Sequence, residues 1–194
     1  MTGKNGFRVD RGGLPPQFPT HLHSGLFWEH LGRVVATFGI LEEILGRAIF
    51  ALTATIKYPE AEIEAAYKNW HPILERALFD PLGNLIDAYG KAAQNHPDFP
   101  VANLDDLLTE LRKAVALRNV LCHGSWRKPD ADGRSIPLFV NRQLEVFESP
   151  VDVAFLQQTQ EAVVGLIVNV MNSVTLMGLQ FPGSNGPGDV VFKK

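Results

Sequence analysis

A single cysteine, Cys122, stands among the 194 residues, so the chain can form no internal disulfide framework and no cysteine-rich zinc site. That suits a reducing compartment, and a cytoplasmic protein is expected. No glycine-rich strand-to-helix loop suggests a dinucleotide or P-loop site, and the Gly-x-Ser-x-Gly nucleophile elbow is missing; no cofactor is expected. Charge of one sign is also lacking: the formal net charge is -3, with 45% apolar and 20% charged residues, which excludes a uniformly basic nucleic-acid coat, an acidic tail protein and global disorder. Residues 1–20 lack the apolar core of a signal peptide. One uncharged stretch, Ala162 to Phe181, has the length of a bilayer span. It contains Asn169, Asn172, Ser173, Thr175 and Gln180 without a flanking Lys/Arg cluster, so it reads as a buried helix, and no membrane partner is expected. His21, His23 and His30 have no carboxylate or thiolate completing a metal-ligand spacing, and no metal is expected. His71 and His96 each precede a proline and read as solvent-facing turn residues, and Cys122 as a packed small hydrophobe.

What is present is helical periodicity. The length suits one domain, with a flexible N-terminal segment at 1–20, a helical domain at 21–181 carrying an insertion at 126–149, and a flexible tail at 182–194. Apolar residues at Phe27, Leu31, Val34, Phe38, Leu41, Leu45, Ala48 and Leu52 step by four and three and predict a long amphipathic helix, closed by Tyr58-Pro59. A short helix is expected between Glu60 and Asn69, and Pro72 is placed in the first turn of another running toward Asn95. Asn103 offers an N-cap, Asp105 and Asp106 suit the positive helix end, and Gly124 supplies a stop, which predicts a helix over Leu104 to His123. The short β-leaning runs between Ile136 and Phe147 predict a small hairpin or ordered loop. Ser149-Pro150-Val151-Asp152 resembles a capping box opening a last helix that reaches Gly178 to Phe181. The fold class is therefore all-α, a bundle of four to five helices with a short loop or β-hairpin insertion before the last. The final helix carries two apolar stripes, one through Val163, Ile167, Val170 and Val174, the other begun by Val164, Val168 and Met171. It must be covered on more than one side, by central burial or by a second copy across a two-fold.

One constellation carries chemistry. On the Leu104 helix the apolar stripe Leu104, Leu108, Leu111, Val115 continues through Arg118 to Cys122, so an arginine occupies a core-facing position. A guanidinium keeps its charge, and burying it requires a carboxylate or an arriving anion. Glu42, on a line with Val35, Ile49 and Ile56, is the natural internal partner. Asn119 and His123 are four residues apart on one face, whereas Arg118 and His123 are separated by about 140° on an ideal helix and converge only if the side chains lean together or the last turn is distorted. From Arg112 to Arg142 seven Lys/Arg face only Asp130 and Asp132, a local charge of +5 that makes a basic patch. Arg118, Asn119 and His123 can also simply cap carbonyls and pair with Glu42 or Glu43.

The run Arg118-Asn119-Val120-Leu121-Cys122-His123-Gly124-Ser125-Trp126 resembles the Arg-polar-x-x-x-His signature of the HEPN superfamily, the helical nucleotide-binding and ribonuclease domains of prokaryotic defence systems. Phe38-Gly39-Ile40-Leu41-Glu42 is also similar to first-helix patterns in some members. The resemblance extends over residues 22 to 181 and implies a HEPN-like bundle with its motif near the end of a late helix. It further implies metal-independent endoribonuclease activity in a toxin-antitoxin or phage-defence setting, commonly in a homodimer whose two motifs face each other. RNA would be the substrate and an antitoxin protein a possible partner. On that resemblance Arg118, Asn119 and His123 are the catalytic candidates, with Glu42 in support. Histidine can exchange a proton near neutral pH, and arginine's fork of donors suits a phosphoryl group. Trp126, Arg127 and Lys128 are candidates for RNA contact, Trp126 either stacking on a base or anchoring its loop to the core. The position two residues after the histidine, a tyrosine in some HEPN toxins modified by their antitoxins, is Ser125 here. The alternative is a non-catalytic HEPN-like module binding a nucleotide or a protein.

Overall fold

The four-and-three spacing that begins at Phe27 becomes a 30-residue helix, α1, Gly25–Ala54, in a computed structural model that describes residues 6–100 and 102–191. The Ser24 hydroxyl accepts from the Phe27 N–H at 3.2 Å and starts it. Four more helices follow: α2 (Ile63–Ala77), α3 (Leu82–Asn95), α4 (Leu104–His123) and α5 (Val153–Thr175). Among the described residues there is no strand, only isolated bridges. The chain is an all-α bundle, and no helix among those residues is long and apolar enough to cross a membrane.

α1 packs against all four other helices, most extensively α5 and then α3. Phe38, Leu41, Leu45, Ala48, Ile49 and Leu52 are sealed from solvent on its inner face, each of the larger ones contributing about 1.5–3 kcal/mol of burial. α5 lies alongside α1 in the same direction: His30 Nε2 is 3.4 Å from Gln157 Nε2 near one end, and Arg47 Nη1 donates to the Pro182 carbonyl at 3.2 Å beyond the other. Tyr89 on α3 is fully buried and donates to Ser173 Oγ on α5 at 2.7 Å, which satisfies the one polar atom it carries into the core.

Several local expectations are corrected. Pro72 does not open a helix; it sits well inside α2, and the break falls at Leu78–Pro81. Asp80 precedes Pro81, and a residue before proline is driven out of the helical region. α2 buries no residue, so the Lys68 carbonyl left without a donor by Pro72 can turn to solvent. Asn103 precedes α4 as expected but adopts a left-handed conformation with φ 67° and makes no side-chain cap; its carbonyl takes the Leu107 N–H at 3.1 Å. The cap of α5 is Asp152, whose Oδ1 accepts from Phe155 N at 2.7 Å, and not Ser149. Val151 exchanges two 2.9 Å backbone hydrogen bonds with Ser135 and is thereby held extended, so the helix cannot begin earlier. α5 ends at Thr175, short of the expected Gly178 to Phe181, and Gly178 then turns with φ 80°. The chain returns as Gln180 N donates to Asp189 O and Asp189 N to Gly178 O, both at 2.8 Å. His96 is buried rather than solvent-facing: its Nε2 is 3.0 Å from Thr55 Oγ1, and its Nδ1 accepts from the Asp98 N–H at 3.1 Å. Burial pushes this imidazole below the usual histidine value, partly offset by Asp98.

Candidate functional site

α4 spans the predicted residues, and its stripe climbs out of the core. Leu104, Leu108 and Leu111 are buried, Val115 is half-buried, and Arg118 and Cys122 emerge at the surface end. The arginine expected to face a sealed core is instead at its rim, its side chain 31% exposed. Position along the stripe is dictated by period, and depth by where the neighbouring helices end.

Three of the residues singled out by sequence gather around this guanidinium. Arg118 Nη2 is 3.7 Å from Glu42 Oε1 on α1, Nη1 is 3.4 Å from Asn119 Oδ1, and Nη1 is 3.5 Å from His123 Nε2. The 140° separation on an ideal helix is thus closed by side chains leaning along α4. All three distances lie at or beyond the long edge of hydrogen-bonding geometry. An ion pair this exposed contributes at most about 1 kcal/mol, so the guanidinium is positioned without being saturated and can take an anion in place of Glu42. His123 itself is exposed.

The chain leaving α4 is held firmly. Gly124 N returns to Val120 O at 2.8 Å, and Ser125 and Leu138 exchange antiparallel hydrogen bonds of 3.0 and 2.8 Å. Trp126 is half-buried, its ring edge-on to Phe27 at a centroid distance of 4.9 Å. Of the two roles considered for this tryptophan, the packing supports the loop anchor. Arg127 and Lys128 are exposed.

The basic window is mostly neutralised from within. Arg112 pairs with Asp87, Lys113 with Glu110, Arg118 with Glu42, and Arg134 with both Asp130 and Asp132. The Arg134 backbone N–H, followed by its guanidinium, holds the Asp130 carboxyl below the usual carboxylate range. Within this window, all of it described, Arg127, Lys128 and Arg142 are left without an ion pair, and two of them directly follow the motif.

A cleft of about 1140 Å³ between the end of α1, α2 and α3 lies elsewhere and is lined by none of Glu42, Arg118, Asn119 and His123. Its Arg76 and Asp80 pair with each other and its Asp87 with Arg112. Glu42 instead borders a groove of about 750 Å³ that runs along α1 to Leu78 and Phe79. Among the described residues no group of three or more His, Cys, Asp or Glu side chains is placed to hold a metal ion. What sequence did not anticipate is the packing of His23 beside Trp126, with ring centroids 6.1 Å apart. No local pattern links the two, which come from the lead-in to α1 and the segment after α4. Compared with protein-family models, with curated proteins and with solved structures, the chain gives no match.

Proposed function

We propose that the chain is a metal-independent endoribonuclease of the HEPN type. The observation that carries the proposal is an unsaturated, half-exposed Arg118 guanidinium 3.5 Å from His123 Nε2 at an exposed helix end. In this mechanism a ribose 2'-hydroxyl attacks the adjacent phosphorus; the P–O5' bond breaks, leaving a 2',3'-cyclic phosphate on one product and a 5'-hydroxyl on the other. His123 moves a proton to or from the reacting oxygens. Arg118 stabilises charge on the phosphoryl oxygens as they displace Glu42. Asn119 orients the guanidinium, and Arg127 and Lys128 attract the RNA backbone. A toxin-antitoxin or defence setting, with an antitoxin protein as partner, is the context this activity fits. The test is incubation of purified protein with mixed RNA and a chelator beside Arg118→Ala and His123→Ala. Chelator-resistant cleavage to cyclic-phosphate ends that both variants lose is the expected outcome. Cleavage that survives in the variants, or disappears with the chelator, sinks the proposal, and RNA or nucleotide bound without cleavage identifies the non-catalytic module.

The proposal includes a homodimer. From Ala162 through the C-cap residue Leu176 the exposed positions of α5 and its end are Ala162, Val164, Gly165, Val168, Asn169, Asn172, Thr175 and Leu176, none of them charged. Val164, Val168 and Leu176 are 45%, 46% and 74% exposed, whereas Met171 of the second stripe is half-buried against the core; a second copy can cover the exposed residues. Val168→Asp, at an exposed position, is expected to halve the mass seen by light scattering while the circular dichroism spectrum stays the same. A wild-type monomer at micromolar concentration would exclude the dimer.

A further inference from the structure

We propose that the segment from Phe18 to Ser24 is an acid-released strap, latched by the His23 ring where it docks between Phe27 and Trp126. The segment leads into α1 and is tied to its first turn through Thr20 and His23. Trp28 Nε1 donates to the Thr20 carbonyl at 2.8 Å, and the Phe18 and His21 rings meet at 5.7 Å. His23 stacks on Phe27 at 4.3 Å and meets Trp28 edge-on at 5.5 Å and Trp126 at 6.1 Å. It is the only ring contact between the strap and the residues that follow the candidate site among those described.

Both nitrogens of the docked His23 ring are buried and neither has a hydrogen-bond partner, whereas His21 and His30 each bury only Nδ1 in this way. A neutral imidazole tolerates that poorly and an imidazolium far worse, since it must place two charged N–H donors. The charged groups on the surrounding elements do not relieve it. Asp132 of the insertion and Asp152 at the start of α5 share a cavity of about 400 Å³ with His23, but Asp132 Oδ2 accepts from Arg134 at 2.6 Å and Asp152 Oδ1 caps α5. From α1 the ring meets Phe27 and Trp28, and from the segment after α4 it meets Trp126, all uncharged. The docked ring therefore takes a proton less readily than a released one.

Burial pushes the docked imidazole below the usual histidine value, which fixes the sign. With the docked value depressed, the docked state keeps its full stability above the ordinary histidine pKa of about 6.5 and loses it as pH falls below that value. The loss reaches at most about tenfold in the docking constant per pH unit, and it stops once the docked ring itself can be protonated. Release removes the His23 edge from Trp126 and loosens the chain that carries Arg127 and Lys128, a few residues beyond His123.

The experiment uses the full chain labelled for NMR at the tryptophan indoles. Between pH 7.5 and 5 the Trp28 and Trp126 indole resonances are expected to move together, while the His23 ring titrates below the ordinary histidine range. His23→Phe keeps the stacking and removes the proton, and is expected to hold both indoles still. Indoles that titrate alike in His23→Phe, or that do not move in the wild-type protein, overturn the proposal; so does a wild-type His23 ring with an ordinary titration, which requires no variant. None of these readouts involves RNA, so the strap and the ribonuclease stand or fall separately.

Discussion

Gly124→Ala is expected to destabilise the protein by about 1–3 kcal/mol, the largest stability effect of any single methyl group near the site. The glycine is not needed for its backbone conformation, because φ is -67° and any residue can adopt it. It is needed for space: a Cβ there would lie 2.6 Å from the Val120 carbonyl oxygen and 2.8 Å from Pro137 Cβ. Neither neighbour can swing away, one being backbone in the last turn of α4 and the other a ring held by the Ser125–Leu138 bridge. Relief must come from unwinding the turn that carries His123 or breaking the bridge. Urea unfolding checks this, with Gly32→Ala as the control. That glycine faces open space inside α1, and alanine there is expected to add about 0.5–1 kcal/mol. A Gly124→Ala protein as stable as wild type would mean the turn is softer than its hydrogen bonds suggest.

His123→Ala is expected to lower RNA cleavage by about 10²- to 10⁴-fold, the range for removing a positioned acid or base, while leaving the unfolding midpoint close to wild type because the side chain is exposed. Arg118→Lys is a sharper probe than Arg118→Ala: it keeps the charge and loses the planar fork, so a cleavage rate near that of Arg118→Ala assigns the role to geometry. Glu42→Gln separates support from competition. The pair is 31% and 32% exposed, so its loss should cost less than about 1 kcal/mol, whereas RNA should bind more tightly once the rival carboxylate is gone. Weaker RNA binding in Glu42→Gln would assign Glu42 to holding the guanidinium in place.

The parts of this arrangement that could be read from sequence are those that depend on local period. The α1 stripe and both ends of α4 follow from apolar spacing, helix-end charges and one glycine, and the Arg118–Glu42 pairing follows from asking which acid shares an apolar line. What escaped depends on contacts between distant segments. The break between α2 and α3 falls at Pro81 and not at Pro72, since a proline inside a helix is tolerated where its orphaned carbonyl reaches solvent, and no local pattern tells that α2 buries no residue. The start of α5 was moved to Asp152 by the Ser135–Val151 bridge, which no local pattern announces. His96 reads as a turn residue from sequence, since the Thr55 hydroxyl that accompanies it comes from the far end of α1. The depth of Arg118 was overestimated for a related reason: a stripe gives the face of a helix and says nothing about how far its neighbours extend.

The pairing of α1 with α5 also governs when the bundle can exist. The apolar face of the first helix made is covered by the last, so during synthesis α1 leaves the ribosome long before its main partner. At about 5–20 residues per second, the interval between them is seconds, during which Leu31, Val34 and Phe38 have only α2, α3 and α4 for shelter. Contacts between segments so far apart in the chain slow folding, and a chain interrupted before Val153 would present that face to whatever binds nascent hydrophobic helices.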